Sequence, residues 1–365
     1  MDPKQDAEVA SRLLAYLSRA FTTPGLAYAE APARIRGGFD AAIYGFRLAA
    51  PPPALDGPLI LRLNHPATDP RRVRLETAVH NGLAALGYPA PRVFAAETDA
   101  AALGSSFIVM ARLAGHPLAH GVEGMGAGEG LIGLLRLIVG LPGLLRRITN
   151  DWVEMQLRLH ALPVEPVEAA LQADGIDPAF LGFDAQFERL RRQVEHAALS
   201  GLLPGIAWLE AHRPPEPARR VICHGDFHPL NILAENGKVT GVIDWPNVAL
   251  AAPELDIGSS LANIGNAPFP LPAPLRPPVR LILASALRRY YRNYRRRRPL
   301  DDRAVRYYQV FRCMTQLAWS VPTAASGSAG GGAFTSEAGI RNLIANIKTL
   351  SGVTLRLHGA GLQQA

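Results

Sequence analysis

The sequence predicts an α+β chain of two lobes, a β-rich N-lobe followed by a larger, mostly helical C-lobe. Three observations carry this. With 365 residues the chain can bury more than one core's worth of apolar surface. Before residue 113, short apolar runs rich in β-branched and aromatic residues are punctuated by glycine and proline. After residue 114 the apolar residues fall mostly at helical spacing. The expected division is therefore 1–113 and 114–365.

Taken in order, residues 8–20 carry apolar side chains at helical spacing and predict a first helix. Ala33-Arg34-Ile35-Arg36 runs into Gly37-Gly38-Phe39-Asp40, and Ala42 to Leu48 follows, which reads as strand, glycine turn, strand. Pro51-Pro52-Pro53 is a loop, and Leu59-Ile60-Leu61-Arg62-Leu63 is an apolar strand holding one charge. Arg74 to Leu86 is an amphipathic helix stopped by Pro89-Ala90-Pro91. Ser106 to Met110 is a strand, and Gly115-His116-Pro117 opens a linker. Beyond it, helices are expected over 150–161, 185–200, 277–296, 303–320 and 336–350. Residues 130–145 are apolar, but Arg136 splits them and Pro142 interrupts them, so a buried helical pair is expected rather than a membrane span. A lipophilic pocket wall or an interfacial anchor is the alternative. Thr323 to Gly332 is small and flexible and reads as a loop.

At 48% hydrophobic and 19% charged, the composition is that of a folded globular protein. The net charge of +7 comes almost wholly from arginine, since lysine occurs only at Lys4, Lys238 and Lys348. Cys223 and Cys313 are too few for a disulfide framework, which fits a reducing compartment. No secretory signal is visible at the start of the sequence, and the expected location is cytoplasmic.

Residues 223–245 carry the chemistry. They hold His224-x-Asp226-x4-Asn231, a hairpin-like gap, then Asp244-Trp245 at the end of the apolar run Val242-Ile243. Phosphoryl transfer calls for this set: one carboxylate to contact the acceptor hydroxyl, and an Asn and an Asp to hold Mg²⁺ against the nucleotide phosphates. Protein kinases write the motif as His-Arg-Asp-x4-Asn followed by Asp-Phe-Gly. Here Gly225 stands in place of the Arg, and Trp245-Pro246 in place of Phe-Gly. With those changes the segment resembles the aminoglycoside phosphotransferase family, the small-molecule branch of the protein-kinase-like fold.

The resemblance runs from roughly residue 30 to 320 and is strongest over 221–262. It implies transfer of the ATP γ-phosphate to a small-molecule hydroxyl, with Mg²⁺. Asp226 would be the catalytic carboxylate, and Asn231 and Asp244 the metal ligands. His224 and His228 would support the loop, and Asp256 would brace it by hydrogen bonding, where a helix N-cap ahead of Ile257 is the plainer reading. None of the three lysines is placed to pair the phosphates, so Arg62, in Ile60-Leu61-Arg62-Leu63, takes that role with Glu76 as its orienting partner. Gly37 and Gly38 would form the turn over the phosphates, and adenine would meet backbone groups near Met110 and Ala111.

The acceptor region, 114–220 and 263–320, is rich in arginine and apolar residues with scattered acids such as Asp151, Glu154 and Glu188. A polycationic aminoglycoside would want the opposite, so a neutral, apolar or anionic acceptor is expected. Two other classes stay open. One is a nucleotide-binding pseudokinase or scaffold. The other is a nucleic-acid or membrane binder using the basic, tyrosine-rich stretch 288–298. On a helix, however, Leu287, Tyr290, Tyr291 and Tyr294 share one face and most of the arginines lie elsewhere, so a solvated basic face is the expectation and nucleic acid is not. Sequence leaves the oligomeric state open.

Overall fold

A computed structural model describes residues 3–35, 41–66, 68–119, 130–197, 199–268, 276–325 and 333–357. The chain divides into two compact units that interleave along the sequence. The first comprises Met1–His116, Glu165–Asp177 and Leu233–Pro246, and the second Pro117–Val164, Pro178–Ile232 and Asn247–Ala365.

The first unit opens with helix α1 (Pro3–Ala20) and continues through strands β1 (Ala27–Ile35), β2 (Ala41–Ala49) and β3 (Pro58–Asn64). Helix α2 (Arg71–Ala85) and strands β4 (Val93–Glu97) and β5 (Phe107–Ala111) follow. The strands make one antiparallel sheet in the order β1-β2-β3-β5-β4. Alternation explains its core. Leu59 and Leu61 of β3, Tyr44, Phe46 and Leu48 of β2, and Phe107 and Val109 of β5 pack with Leu13 and Leu17 of α1. Neighbours on β3 point the other way, which turns Arg62 off that core; it pairs with Ile43 and Ile108. β4 was not expected from the sequence. Only its first residue, Val93, is buried, so no alternation marks it.

After the short strand β6 (His116–Pro117) comes α3 (Gly130–Ala161). This is a single helix of 32 residues with Pro142 inside it, not the helical pair the proline suggested. Its stretch 140–147 contains no buried residue. A kinking proline costs one hydrogen bond but does not end a helix held by tertiary packing. The packing comes from the C-terminal half, where Trp152 stacks on Tyr290 with ring centroids 3.8 Å apart. Helix α4 (Glu165–Ala173) belongs to the first unit, and Val167 packs on Gly82 of α2.

The second unit continues with α5 (Phe183–His196), α6 (Leu203–Ala211) and β7 (Val221–Cys223). Strand β8 (Ile232–Glu235) leads to β9 (Lys238–Val242) in the first unit. Strand β10 (Ala249–Ala251) pairs with β7, and helices α7 (Pro253–Asn266), α8 (Arg276–Arg297), α9 (Asp302–Ala325) and α10 (Glu337–Ser351) complete the chain. The core of this unit gathers buried residues from α5, α6, β7, α7, α9 and α10, among them Val194, Leu209, Cys223, Leu255, Met314 and Leu343. Tyr290 and Tyr294 of α8 are buried, while Arg288, Arg289, Arg292, Arg295 and Arg296 are exposed, as the helical spacing predicts. The loop expected over 323–332 begins later: α9 runs to Ala325, and 326–332 lie outside the described residues. Among the described residues no helix is long and apolar enough to cross a membrane.

Candidate active site

The loop between β7 and β8 is held by its own backbone. Gly225 adopts φ +77°, and a Cβ there would collide with the carbonyl oxygen of Asn247, so the Arg of the kinase motif cannot occupy this position. Asp256, fully buried in the first turn of α7, accepts hydrogen bonds from the backbone N–H groups of His224 (2.9 Å) and Gly225 (2.5 Å). A third bond joins it to His160 Nε2 of α3 at 3.0 Å, and the other nitrogen of His160 meets the Tyr294 hydroxyl at 2.6 Å. Asp256 is not the N-cap of this helix; that place falls to Ala252, and the helix starts at Pro253. Burial raises the Asp256 pKa, but the hydrogen bond and charge of His160, with His224, outweigh it and hold the carboxyl below its ordinary value.

His224 is fully buried, and its Nδ1 accepts from the Asp226 N–H at 3.2 Å. The carbonyl of Phe227 accepts from Trp152 Nε1 (3.1 Å) and from the Ser260 hydroxyl (2.6 Å). Asn231 is buried and donates its amide to the Asp226 carbonyl at 3.0 Å, which keeps its side-chain oxygen as an acceptor.

The Asp226 side chain is 18% exposed. Its Oδ1 receives the Asn263 side-chain amide from α7, the Arg312 guanidinium from α9 at 3.2 Å, and His228 Nε2 at 3.4 Å. Burial raises the Asp226 pKa; the charges of His228 and Arg312, with the His228 hydrogen bond, more than offset it. The group is a carboxylate at neutral pH. Asn263 and Arg312 are functional candidates that sequence reasoning missed. One signal was present: Asn263 stands seven residues after Asp256, two turns along the same helix face.

The other candidates lie on the first unit. Arg62 of β3 forms an ion pair with Glu76 of α2, the partnership expected from the sequence. Glu76 is buried, and burial pushes its pKa up against the pull of Arg62, with the charge of Asp244 adding to the rise. Asp244 is exposed, at φ +69°, a left-handed conformation that is uncommon for a residue with a side chain. Trp245 beside it is buried, edge-on to Tyr88 and His80, and donates its Nε1–H to the Val242 carbonyl at 2.9 Å. The Val242 N–H reaches the Pro89 carbonyl at 2.8 Å. The turn that presents Asp244 is therefore fastened on both sides. Met110 and Ala111 end β5, half-buried and paired with Ile60 and Leu59. Gly37 and Gly38 lie outside the described residues.

A five-stranded sheet with its Arg–Glu pair, followed by a loop carrying Asp and Asn and then Asp244 two residues past the end of strand β9, defines a phosphotransferase of the protein-kinase-like fold. The profile of the phosphotransferase enzyme family matches residues 33–300, and the chain belongs to that family. A comparison with curated proteins found no match. Solved structures share the fold at low identity. A Ralstonia eutropha JMP134 protein, provisionally described as an aminoglycoside phosphotransferase, is 19% identical with a TM-score of 0.59, covering 93% of this chain and 96% of its own. Aminoglycoside phosphotransferase APH(4)-Ia, in a ternary complex with ADP and hygromycin B, is 15% identical with a TM-score of 0.57, covering 96% and 99%. A macrolide 2'-phosphotransferase of type I is 16% identical with a TM-score of 0.50, covering 94% and 97%.

Proposed function

We propose that the protein is an ATP-dependent O-phosphotransferase whose acceptor is a hydroxyl of a neutral, apolar or anionic small molecule. The observation that carries the reading is an ionised Asp226 tied through its own carbonyl to Asn231 in one braced loop. Asp226 orients the acceptor hydroxyl and takes its proton as the oxygen–phosphorus bond forms and the bond to the departing ADP oxygen breaks. Positioning contributes more than basicity here, because the transition state is loose. Arg62, aimed by Glu76, contacts nucleotide phosphate oxygens, and the end of β5 at Met110 and Ala111 offers backbone groups to adenine. Asn231 and Asp244 would be the Mg²⁺ ligands, each through a side-chain oxygen of the kind that ion prefers, and Mg²⁺ when bound would supply neutralisation of phosphate charge.

What faces Asp226 supports this acceptor class. The basic side chains that meet its carboxylate are Arg312 and His228, with no acid among the described contacts. A polycation would meet a fixed guanidinium beside the reacting hydroxyl. Both an aminoglycoside and a macrolide enzyme stand among the structural neighbours, so the fold itself accommodates acceptors of different charge. Cys223 and Cys313 are buried free thiols, which suits a reducing, cytoplasmic setting.

The test is ADP release from Mg-ATP across a panel of alcohols. Asp226→Ala should lower turnover by about 10²- to 10⁴-fold while Mg-ATP still binds. Unchanged turnover in that variant would remove Asp226 from the chemistry. An absence of turnover in the unaltered protein, with nucleotide bound, would favour a scaffold. Strong turnover of kanamycin-like acceptors would overturn the acceptor class.

A further inference from the structure

The nearest side-chain contacts of the Asp226 carboxylate fall on one oxygen. Asn263, Arg312 and His228 each come closest to Oδ1, and among the described residues no side chain donates a hydrogen bond to Oδ2. The donors are themselves fixed. Arg312 Nε donates to Asn263 Oδ1 at 2.8 Å, and Gln316 Nε2, one turn further along α9, donates to the same oxygen at 2.7 Å. Asn263 is 4% exposed and Gln316 9%. The Arg312 side chain, 14% exposed, spans from Asn263 to Asp226 with two different nitrogens, so its fork is held at both ends.

We infer that Asn263 and Arg312 are positioning residues that immobilise Oδ1 of Asp226 and so make Oδ2 the oxygen that meets the acceptor. The inference rests on Asp226 being the acceptor-side carboxylate. A carboxylate otherwise turns about its terminal torsion, which is broad and roughly two-fold. Loading one oxygen with three donors removes that freedom before any substrate arrives. A second consequence concerns direction. Asn263 and Arg312 come from α7 and α9, both in the second unit, so the helical scaffold joins the loop's own His228 in orienting Asp226. Gln316 acts one step further out, by holding the Asn263 amide so that its nitrogen faces Asp226.

The measurement uses the full chain with Mg-ATP and water as the acceptor, read as single-turnover phosphate release at high enzyme concentration. Mg-ATP affinity is measured alongside by calorimetry. Asn263→Ala and Arg312→Gln should each slow the chemical step about tenfold to a hundredfold, with Mg-ATP affinity within about twofold of the unaltered protein. Arg312→Lys should recover part of the loss, because an ammonium restores the charge but cannot bridge both partners. In an Asp226→Ala background, Arg312→Gln should cost nothing further, since the clamp acts only through that carboxylate. Arg312→Gln and Asn263→Ala at full rate, beside an inactive Asp226→Ala, would overturn the clamp and leave the phosphotransferase reading intact. So would a loss of Mg-ATP affinity matching the loss of rate, which marks a general structural role. Full phosphate release by Asp226→Ala would instead sink the phosphotransferase roles themselves. If Arg312→Gln does not fold, Asn263→Ala and Arg312→Lys carry the same comparison.

Discussion

His160 and Asp256, 96 residues apart in sequence, meet at 3.0 Å with both side chains fully buried. The contact joins α3 to α7 and, through the N–H groups of His224 and Gly225, fixes the start of the Asp226 loop. Because the folded pKa of Asp256 lies below its unfolded value, its stabilising contribution is present above that unfolded value. It is lost as pH falls through the folded one, so the window lies below about pH 4. Asp256→Ala should destabilise the protein by about 3–5 kcal/mol, as expected when one partner leaves a buried pair. Urea unfolding followed across pH 3 to 7 checks both points. An unaltered acid limb in the variant would show that the group does not carry this linkage.

Gly225→Ala tests the backbone of the same loop. A methyl group there meets Asn247 and would need a left-handed backbone, a conformation costing a non-glycine residue about 1–3 kcal/mol. The chain must therefore move at Gly225, one residue before Asp226. Turnover should fall by at least about a hundredfold, with a lowered melting temperature. A variant with normal turnover and melting would mean that the loop adopts another backbone path.

Much of this was legible because it is local. The β3 apolar run and the His-x-Asp-x4-Asn spacing are visible within a few residues of each other, and so is the Arg62–Glu76 pairing once the strand and helix are assigned. What stayed hidden depends on tertiary contact. Asn263 and Arg312 lie 37 and 86 residues beyond Asp226 on two separate helices, and no local spacing links them to it. Pro142 suggested a break, but packing further along α3 outweighs a local penalty. Segments 165–177 and 233–246 join the first unit across long stretches of chain, and composition carries no sign of it.

The two thiols should be inert in the native state. Burial pushes Cys313 up to about 12 and raises Cys223 well above the ordinary thiol value, and both are fully enclosed. Only the thiolate reacts, so iodoacetamide at pH 8 should label neither residue until the protein unfolds, when both react. Cys223 lies in β7 immediately before the Asp226 loop, so its labelling rate reads opening of that region. Rapid native labelling at Cys223 would show that β7 opens readily.

Arg62→Ala separates nucleotide contact from structural support. Glu76 is already raised by burial, with Arg62 the main opposing influence. Removing Arg62 leaves a buried carboxyl that takes up a proton more readily. A raised folded pKa means the folded state binds more protons than the unfolded one, so stability falls as pH rises between the unfolded and the folded values. The variant should therefore be more stable at pH 5 than at pH 8, relative to the unaltered protein, and should bind Mg-ATP at least about tenfold more weakly. Arg62→Ala/Glu76→Gln should restore stability at pH 8, because the amide carries no charge to strand, yet leave nucleotide binding weak. Recovery of Mg-ATP affinity in the double variant would mean that Arg62 serves only to neutralise Glu76 and makes no contact with phosphate.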